Sequence, residues 1–446
     1  GAEVVIEFHS VIMIQYMDQA RNIKLTQVGA GTPGGDVMRQ FWQPVALVEE
    51  FDSAVDPRMK DRPLKAVRVL AEDFVLFKQP SGEFALLDRQ CAHRGADLAF
   101  ARFEVDGDQA GIRCPFHGWK YAGDGQCLET PAEPTGSKLC QRVRQGSYPT
   151  TVRAGVVFAW LGRGAAPEFP ALDCYKAPST HSFAFKGLWQ CNWLQAFEVG
   201  IDPAHPSFLH RFLHDVDLDD MGNNAAGKQF RSAAAGEVAG ERWPMSRVMR
   251  ELCQPKIDVL ATDYGMQLTA TRKIDDSKSH VRTTHAVFPH TFVIPLSETM
   301  TITQIHLPVD DTHTYWYSIF TSTGEAVDKA AMREQRARFT HFPDYSPTSG
   351  RHNNWGFNAA EQQSRTYLGM GEDDINVHDQ WAVEGMGAIQ DRTKENLGTS
   401  DIAIAQYRRW LLNAMDQLEA NPTSQLAEAL AQGTLAVAPK TFDGFQ

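Results

Sequence analysis

The chain has no apolar run of about 18 residues or longer, so nothing in it reads as a membrane-spanning helix. Its opening stretch, Gly1 to Ile12, lacks Lys and Arg and shows no small-residue cleavage pattern, which excludes a secretory signal there. No basic block is interleaved with aromatics and the formal net charge is −12 at pH 7, so nucleic acid is excluded as a partner. Cysteine is sparse and odd in number: seven in 446 residues, at 91, 114, 127, 140, 174, 191 and 253. That is no disulfide framework, and it suits a reducing, cytoplasmic setting. No internal repeat, nicotinamide or flavin fingerprint or plant-type ferredoxin cysteine pattern is present.

The length allows two domains, each with its own core. From Leu64 to Leu161 the apolar runs are short and strand-like, such as Phe74-Val75-Leu76-Phe77 and Val156-Val157-Phe158-Ala159-Trp160. Turn signals at Pro80-Ser81-Gly82 and Gly123-Asp124-Gly125 punctuate them, which predicts a small antiparallel β domain. A helical pattern precedes it at Val37 to Trp42. Gly162 to Pro178, rich in Gly, Ala and Pro, is the candidate boundary. Beyond it a helical pattern covers Leu188 to His214 with interruptions at Pro203 and Pro206, and Phe212 to Gly240 reads as a polar loop. Strands are expected from Lys256 to Phe320, with a hairpin turn at Asp310-Asp311. Asn376 to Leu430 reads as mostly helical with a break at Pro422, and Thr399 or Ser400 can cap the run Ile402 to Leu418.

Two cysteines have histidines at ligand spacing. Cys91-Ala-His93-Arg-Gly95 is followed, after eighteen residues, by Cys114-Pro-Phe-His117-Gly-Trp. One thiolate and one imidazole per loop is what a [2Fe–2S] cluster with two Cys on one iron and two His on the other requires. Structural zinc is the rival, but zinc sites pair like ligands, Cys with Cys and His with His, and this spacing does not. The remaining five cysteines have no matching partners and read as ordinary thiols. The paired motifs resemble the Rieske ferredoxin fold.

A second constellation follows: Glu198-Val-Gly-Ile-Asp202-Pro-Ala-His205-Pro-Ser-Phe-Leu-His210. Two imidazoles and a carboxylate on one face of Fe(II) make the facial triad of non-haem oxygenases. Five residues apart, His205 and His210 sit about 140° apart on a regular helix, so sharing a metal needs a break, for which Pro206 is placed.

The Asp-x2-His-x4-His pattern, preceded by Asn-Trp-Leu-Gln at 192 to 195, resembles the signature of the Rieske non-haem iron oxygenases, over about Lys24 to Leu418. The resemblance extends to the phthalate dioxygenase-like and aryl O-demethylase branch through Gly-x-Gly-Thr-Pro at 29 to 33, Met-Arg-Gln-Phe-Trp at 38 to 42 and Glu384-Gly-Met-Gly-Ala-Ile-Gln-Asp391-Arg-Thr-Lys-Glu395. It implies an α+β chain: an N-terminal segment (1–44) packing on the catalytic domain, a Rieske antiparallel β domain (45–165), and a catalytic domain (166–446) with a central antiparallel sheet flanked by helices.

By the same resemblance Cys91, His93, Cys114 and His117 hold a [2Fe–2S] cluster, while His205 and His210 hold Fe(II). Asp202 bridges His205 to His117 of a neighbouring subunit. Asp379 best matches the third ligand, with Asp373 and Asp374 as its rivals. Val199 stands where many relatives carry Asn, and Glu198 is assigned nothing beyond contact behind the site.

The implied system takes O2, an aromatic carboxylate and electrons from a separate NAD(P)H-dependent reductase, with or without a ferredoxin, in a homotrimer or dimer of trimers. The reaction expected is O-demethylation of a lignin-derived, dehydrodivanillate-like acid, with ring dihydroxylation of a phthalate- or chlorobenzoate-like acid as the alternative. A reading of a different class is an electron-transfer iron–sulfur protein without oxygenase activity. An anionic substrate wants a cationic anchor, for which Arg211, Arg247 and Arg250 are the candidates.

Overall fold

The computed structural model describes residues 17–107, 109–216, 235–297, 299–371, 374–422 and 440–446. Three small antiparallel sheets build the first domain. Leu64–Val69, Glu72–Lys78, Phe84–Asp88 and Ser147–Tyr148 make one, and Arg102–Asp106, Gln109–Arg113, Lys120–Ala122 and Cys127–Glu129 another. Gln43–Leu47 and Thr150–Arg153 flank Val156–Ala159 in the third. Phe74 to Phe77 is buried on both faces, as expected of a continuous apolar run between packed layers.

The second domain is organised on one large antiparallel sheet. Its order is Ser182–Trp189, His313–Ser322, Met300–Asp310, Thr291–Pro295, Ser279–Val287, Gly265–Lys273 and Lys256–Thr262, and the C-terminal strand Phe442–Phe445 pairs with Ser279–Val287. The turn at Asp310-Asp311 is a hairpin: Asp310 lies opposite His313, and the Thr312 N–H donates to the Asp310 carboxylate at 2.9 Å. Helices pack over this sheet, and no described helix is long and apolar enough to cross a membrane.

Several expected boundaries move. The helix of the Gly-Thr-Pro segment runs Pro33–Met38, not to Trp42. Thr32 caps it and Pro33 occupies its first turn, while the Gln43 side chain donates to the Met38 carbonyl at 2.7 Å and closes the end. Leu188 and Trp189 complete a strand, and the helix starts only at Trp193, where the Asn192 carboxamide accepts from the Leu194 N–H at 3.1 Å. The helix Asn376–Gly385 stops well short of the expected span, and an irregular stretch separates it from Ile402–Ala420. Thr399 and Ser400 form a 3-10 turn ahead of that last helix, whose N-cap is Asp401. Residues 217–234 of the expected loop and 423–430 of the expected terminal helix lie outside the described residues, and 235–238 pairs with 241–244 as a hairpin.

The domains share one core. Val45, Phe74, Leu86 and Phe158 of the first pack into the same cluster as Trp193, Phe197, Tyr317 and Trp410 of the second. The Leu70-Ala71 turn, both residues at positive φ, donates its N–H groups to the Pro308 and Val309 carbonyls of the large sheet at 2.9 and 2.8 Å. Elsewhere between the domains Glu50, 1% exposed, pairs with Lys186 at 2.6 Å and with Lys65. Burial drags the Lys186 ammonium down to about 8, with Glu50 opposing the shift, and the rings of Tyr315 and Tyr345 lie 4.6 and 4.8 Å from it.

A second buried ion network fixes the helix Trp193–Gly200. Glu198 accepts from Arg408 at 2.5 and 2.9 Å and from Arg392 at 3.1 Å, and Glu395 shares Arg408. Burial would raise the Glu198 carboxyl, but the two guanidinium groups outweigh it and hold it below the usual range. Removing the carboxylate leaves two buried cations underpaired, so Glu198→Ala should cost about 3–5 kcal/mol of stability, read as a fall in unfolding midpoint. Because the folded pKa is the lower one, this contribution is complete above the unfolded pKa of about 4.3 and is lost as pH falls through the folded value. The gap in Tm between wild type and Glu198→Gln should therefore hold from neutral pH to about pH 5 and narrow below about pH 4.

Candidate metal centres

The two Cys–His loops close in the same way. The Cys91 N–H donates to the Ala96 carbonyl at 2.8 Å and the Gly95 N–H to the Cys91 carbonyl at 2.8 Å. In the second loop the Cys114 N–H meets the Trp119 carbonyl at 2.9 Å, and the Gly118 N–H meets the Cys114 carbonyl at 3.0 Å. Each loop needs a left-handed residue to turn back, supplied by Gly95 (φ 75°) and Gly118 (φ 77°). A side chain at Gly118 would also strike Pro131.

Closure of both loops brings four donors together. Cys91 and Cys114 are buried, the His93 and His117 rings stand 4.6 Å apart at 75°, and His93 stacks on Trp119 at 4.2 Å. Burial, with Cys91 close by, pushes the Cys114 thiol up, a penalty that metal ligation of the thiolate removes. The Tyr121 hydroxyl lies 3.2 Å from the Cys91 sulfur. His117 Nδ1 is buried without a hydrogen-bond partner. Two thiols, two imidazoles and this orphaned nitrogen fit a [2Fe–2S] cluster. Cys127 and Cys140, expected as unrelated thiols, face each other with sulfurs 3.6 Å apart.

The other centre lies where the helix Trp193–Gly200 gives way to a turn. Asp202 Oδ1 accepts from the Ala204 and His205 N–H groups at 2.8 and 3.3 Å, and Pro206 begins a one-turn helix ending at Leu209. The sequence predicts that Pro206 breaks a helix; instead it starts one, so that His205 and His210 flank its two ends. Asp202 does hydrogen-bond the His205 ring, through its main-chain carbonyl, which pairs with His205 Nδ1 at 2.5 Å. The carboxylate is occupied with the turn's own N–H groups.

Asp379, on the helix Asn376–Gly385, meets both rings. His205 Nε2 and His210 Nε2 lie 3.7 and 3.3 Å from its Oδ1, and one donor atom from each of the three lies within 4.8 Å of the others. All three side chains are less than a fifth exposed. Asp379 Oδ1 is buried yet has no hydrogen-bond partner, although two imidazole nitrogens face it. Two imidazole nitrogens and a carboxylate oxygen converging at these distances fit a divalent metal. Burial, against the pull of Asp202, lowers the His205 pKa and favours the neutral ring a metal needs. Asp374 is engaged elsewhere, with Arg336 at 2.9 Å and Asn376 at 2.7 Å, and Asp373 lies outside the described residues.

The Asn-Trp-Leu-Gln run is a clamp. Gln195 Nε2 donates to the Val383 and Gly387 carbonyls at 2.7 and 2.8 Å, and its Oε1 accepts from the Gln390 N–H at 2.8 Å, tying together the two helices that lead to these donors. Arg272, almost fully buried, donates to the Pro203 and Leu252 carbonyls and steadies the turn that carries Asp202 and His205. Sequence reading missed Arg272, Arg392, Arg408 and His378, because each acts through a partner far away in the chain.

Of the three candidate anchors, Arg247 pairs with Glu241 and Glu251 at 2.7 and 3.0 Å, and Arg250 pairs with Asp215. Arg211 follows His210 directly; its guanidinium lies over Phe208 and Tyr367, and its Nε is buried with no hydrogen-bond partner. A groove of about 930 Å³ runs from Asp202 and His205 past Phe208, Trp355 and Trp381 to Met386.

Comparison with known proteins places these features in a family. The Rieske [2Fe-2S] domain family matches residues 41–149, and the family described as LigXa C-terminal domain like matches residues 159–442. The chain is 31% identical over 421 residues to the phthalate 4,5-dioxygenase oxygenase subunit of Pseudomonas putida, covering 90% of this chain and 87% of that one. It is 28% identical over 405 residues to the 5,5'-dehydrodivanillate O-demethylase oxygenase subunit of Sphingobium sp., covering 89% and 80%. Among solved structures, NdmB of Pseudomonas putida CBB5 superposes with a TM-score of 0.57 at 18% identity, over 91% of this chain and 97% of that one, a likeness of fold.

The Tyr121 hydroxyl is placed to donate to the Cys91 sulfur, and a hydrogen bond to a sulfur that held the cluster would stabilise the more negative reduced form. Tyr121→Phe should shift the midpoint potential to a more negative value without loss of the cluster, as redox titration of its visible absorption would read. His210→Ala should empty the mononuclear site and abolish product formation while leaving the cluster spectrum intact, as metal analysis beside that spectrum would show.

Proposed function

The chain belongs to the Rieske non-haem iron oxygenases, and from that premise we propose that it O-demethylates a methoxylated aromatic carboxylate of the lignin-derived, dehydrodivanillate-like class. It is an oxygenase component with a [2Fe–2S] cluster and a mononuclear Fe(II). When bound, the iron supplies activation of O2 and the cluster supplies the electrons that this consumes. Cys91, His93, Cys114 and His117 would hold the cluster; His205, His210 and Asp379 would hold the iron.

The observation that carries the acidic substrate is Arg211. Its guanidinium lies over Phe208 and Tyr367, two residues of the groove wall, one residue along the chain from a proposed iron ligand, in a chain whose overall charge repels anions. A carboxylate beside that guanidinium gains a charge-assisted hydrogen bond. Arg247 and Arg250, already paired with acids, are the weaker candidates. Hydroxylation at a methoxy carbon gives a hemiacetal, which collapses to formaldehyde and a phenol. The likeness to the dehydrodivanillate O-demethylase supports this outcome. The likeness to the phthalate dioxygenase supports the second reading, ring dihydroxylation of an aromatic acid.

Electrons reach the cluster, in this proposal, from a separate NAD(P)H-dependent reductase, with or without a ferredoxin. Exchange then runs between subunits of a homotrimer or a dimer of trimers. Phe116, beside His117 in the second Cys–His loop, is 55% exposed, and the groove that begins at Asp202 offers apolar side chains to receive such a loop. Asp202 would then stand between His205 and a neighbour's His117.

With a supplied reductase, a screen of methoxylated and unsubstituted aromatic acids should give formaldehyde in step with O2 uptake. Diol formation without formaldehyde would overturn demethylation in favour of dihydroxylation. Arg211→Gln should raise KM for the acid by about 10–100-fold, the value of one charge-assisted hydrogen bond, and leave KM for the corresponding methyl ester little changed. Equal KM values for the acid in wild type and variant would remove Arg211 from substrate binding.

A further inference from the structure

The ring of His210 is backed by a second histidine. His378 Nδ1 lies 3.1 Å from His210 Nδ1, the two rings are 5.4 Å apart and 27° from parallel, and His378 is 3% exposed. On its far side His378 Nε2 lies 2.7 Å from the Gly371 carbonyl. That carbonyl only accepts, so the His378 proton sits on Nε2 and its Nδ1 carries a lone pair. Two imidazole nitrogens at 3.1 Å need one proton between them, so His210 Nδ1 donates it. A neutral His210 then has a bare Nε2, the atom that faces Asp379 Oδ1 at 3.3 Å.

We propose that His378 is a positioning residue that fixes the tautomer and tilt of His210, so that its Nε2 is held ready for the iron. Proton order is imposed from the Gly371 carbonyl through two rings to the metal face. Gly371 is at φ 84°, a conformation that glycine adopts without strain, and its N–H is held by Glu361 at 3.0 Å. The carbonyl that starts the relay is thus set by the backbone. His205 reaches the same tautomer by a shorter route, through the Asp202 carbonyl. Both rings lean on neutral acceptors, which leaves Asp379, among the described residues, as the single carboxylate in the donor set. His378 and Asp379 are consecutive on one helix, so a single turn supplies both a ligand and the support of another ligand.

The inference rests on reading His205, His210 and Asp379 as the iron ligands. Its test uses the full chain with its cluster: Fe(II) affinity of the mononuclear site, and the visible bands of Co(II) placed there, in His378→Met and His378→Gln. Methionine fills the space with a poor acceptor, whereas glutamine offers a carbonyl oxygen to His210 Nδ1. The Met variant should hold Fe(II) about 10–100-fold more weakly and shift the Co(II) bands, with the cluster absorption unchanged. The Gln variant should recover most of the affinity and the wild-type bands. Wild-type affinity in the Met variant, or equal loss in both, would overturn the proposal. If the Met variant fails to fold, a Gln variant weakened by about tenfold or more does so alone. Failure of the underlying reading looks different: wild type itself would then bind no mononuclear metal.

Discussion

The three donor atoms of the proposed iron site come from two stretches of chain far apart in sequence, and the contact that makes their meeting possible is the side chain of Gln195. Its amide spans from the helix Trp193–Gly200 to the segment Val383–Gln390 with three hydrogen bonds, and the residue itself is buried. One helix leads directly into the turn with Asp202 and His205, and the other carries Asp379. Each helix is then secured by its own device. Asn192 holds the start of the first and Arg272 the turn that follows it, while along the second Glu384 accepts from Trp355, Gln380 and the Gln190 backbone.

Around that contact the molecule places charge where apolar packing would have been simpler. Glu50 with Lys186 and Lys65 joins the cluster domain to the large sheet, and Glu198 with Arg392, Arg408 and Glu395 joins the first of those helices to the last helix of the chain. Buried ion pairs add little net stability over well-packed apolar residues, but they accept only one geometry. A metal site tolerates errors of about half an ångström, so directional contacts suit its supports better than sliding apolar ones.

The cluster loops were legible because their chemistry is local: ligand type, spacing and a turn-forming glycine all sit within a few residues. The strand runs and the Asp310 hairpin were legible for the same reason, since alternation and turn residues are short-range signals. His205 and His210 could be picked out, but the turn between them could not, because Pro206 can either end a helix or open one and only tertiary context decides. Asp379 stood among several acids; Asp374 drops away only once Arg336 is seen to hold it. His378 carried no signal at all, since a lone histidine beside an acid is unremarkable until another ring is found behind it.

The four residues of the Glu198 network have a bearing on how such a chain can diverge. Glu198 is the acid both guanidinium groups share, so its loss alone leaves Arg392 buried without a carboxylate, whereas a matched loss of acid and base does not. A change at position 198 is therefore energetically coupled to positions 392 and 408. The helix that leads to the two histidines thus takes substitution only in step with side chains 194 and 210 residues further along the chain.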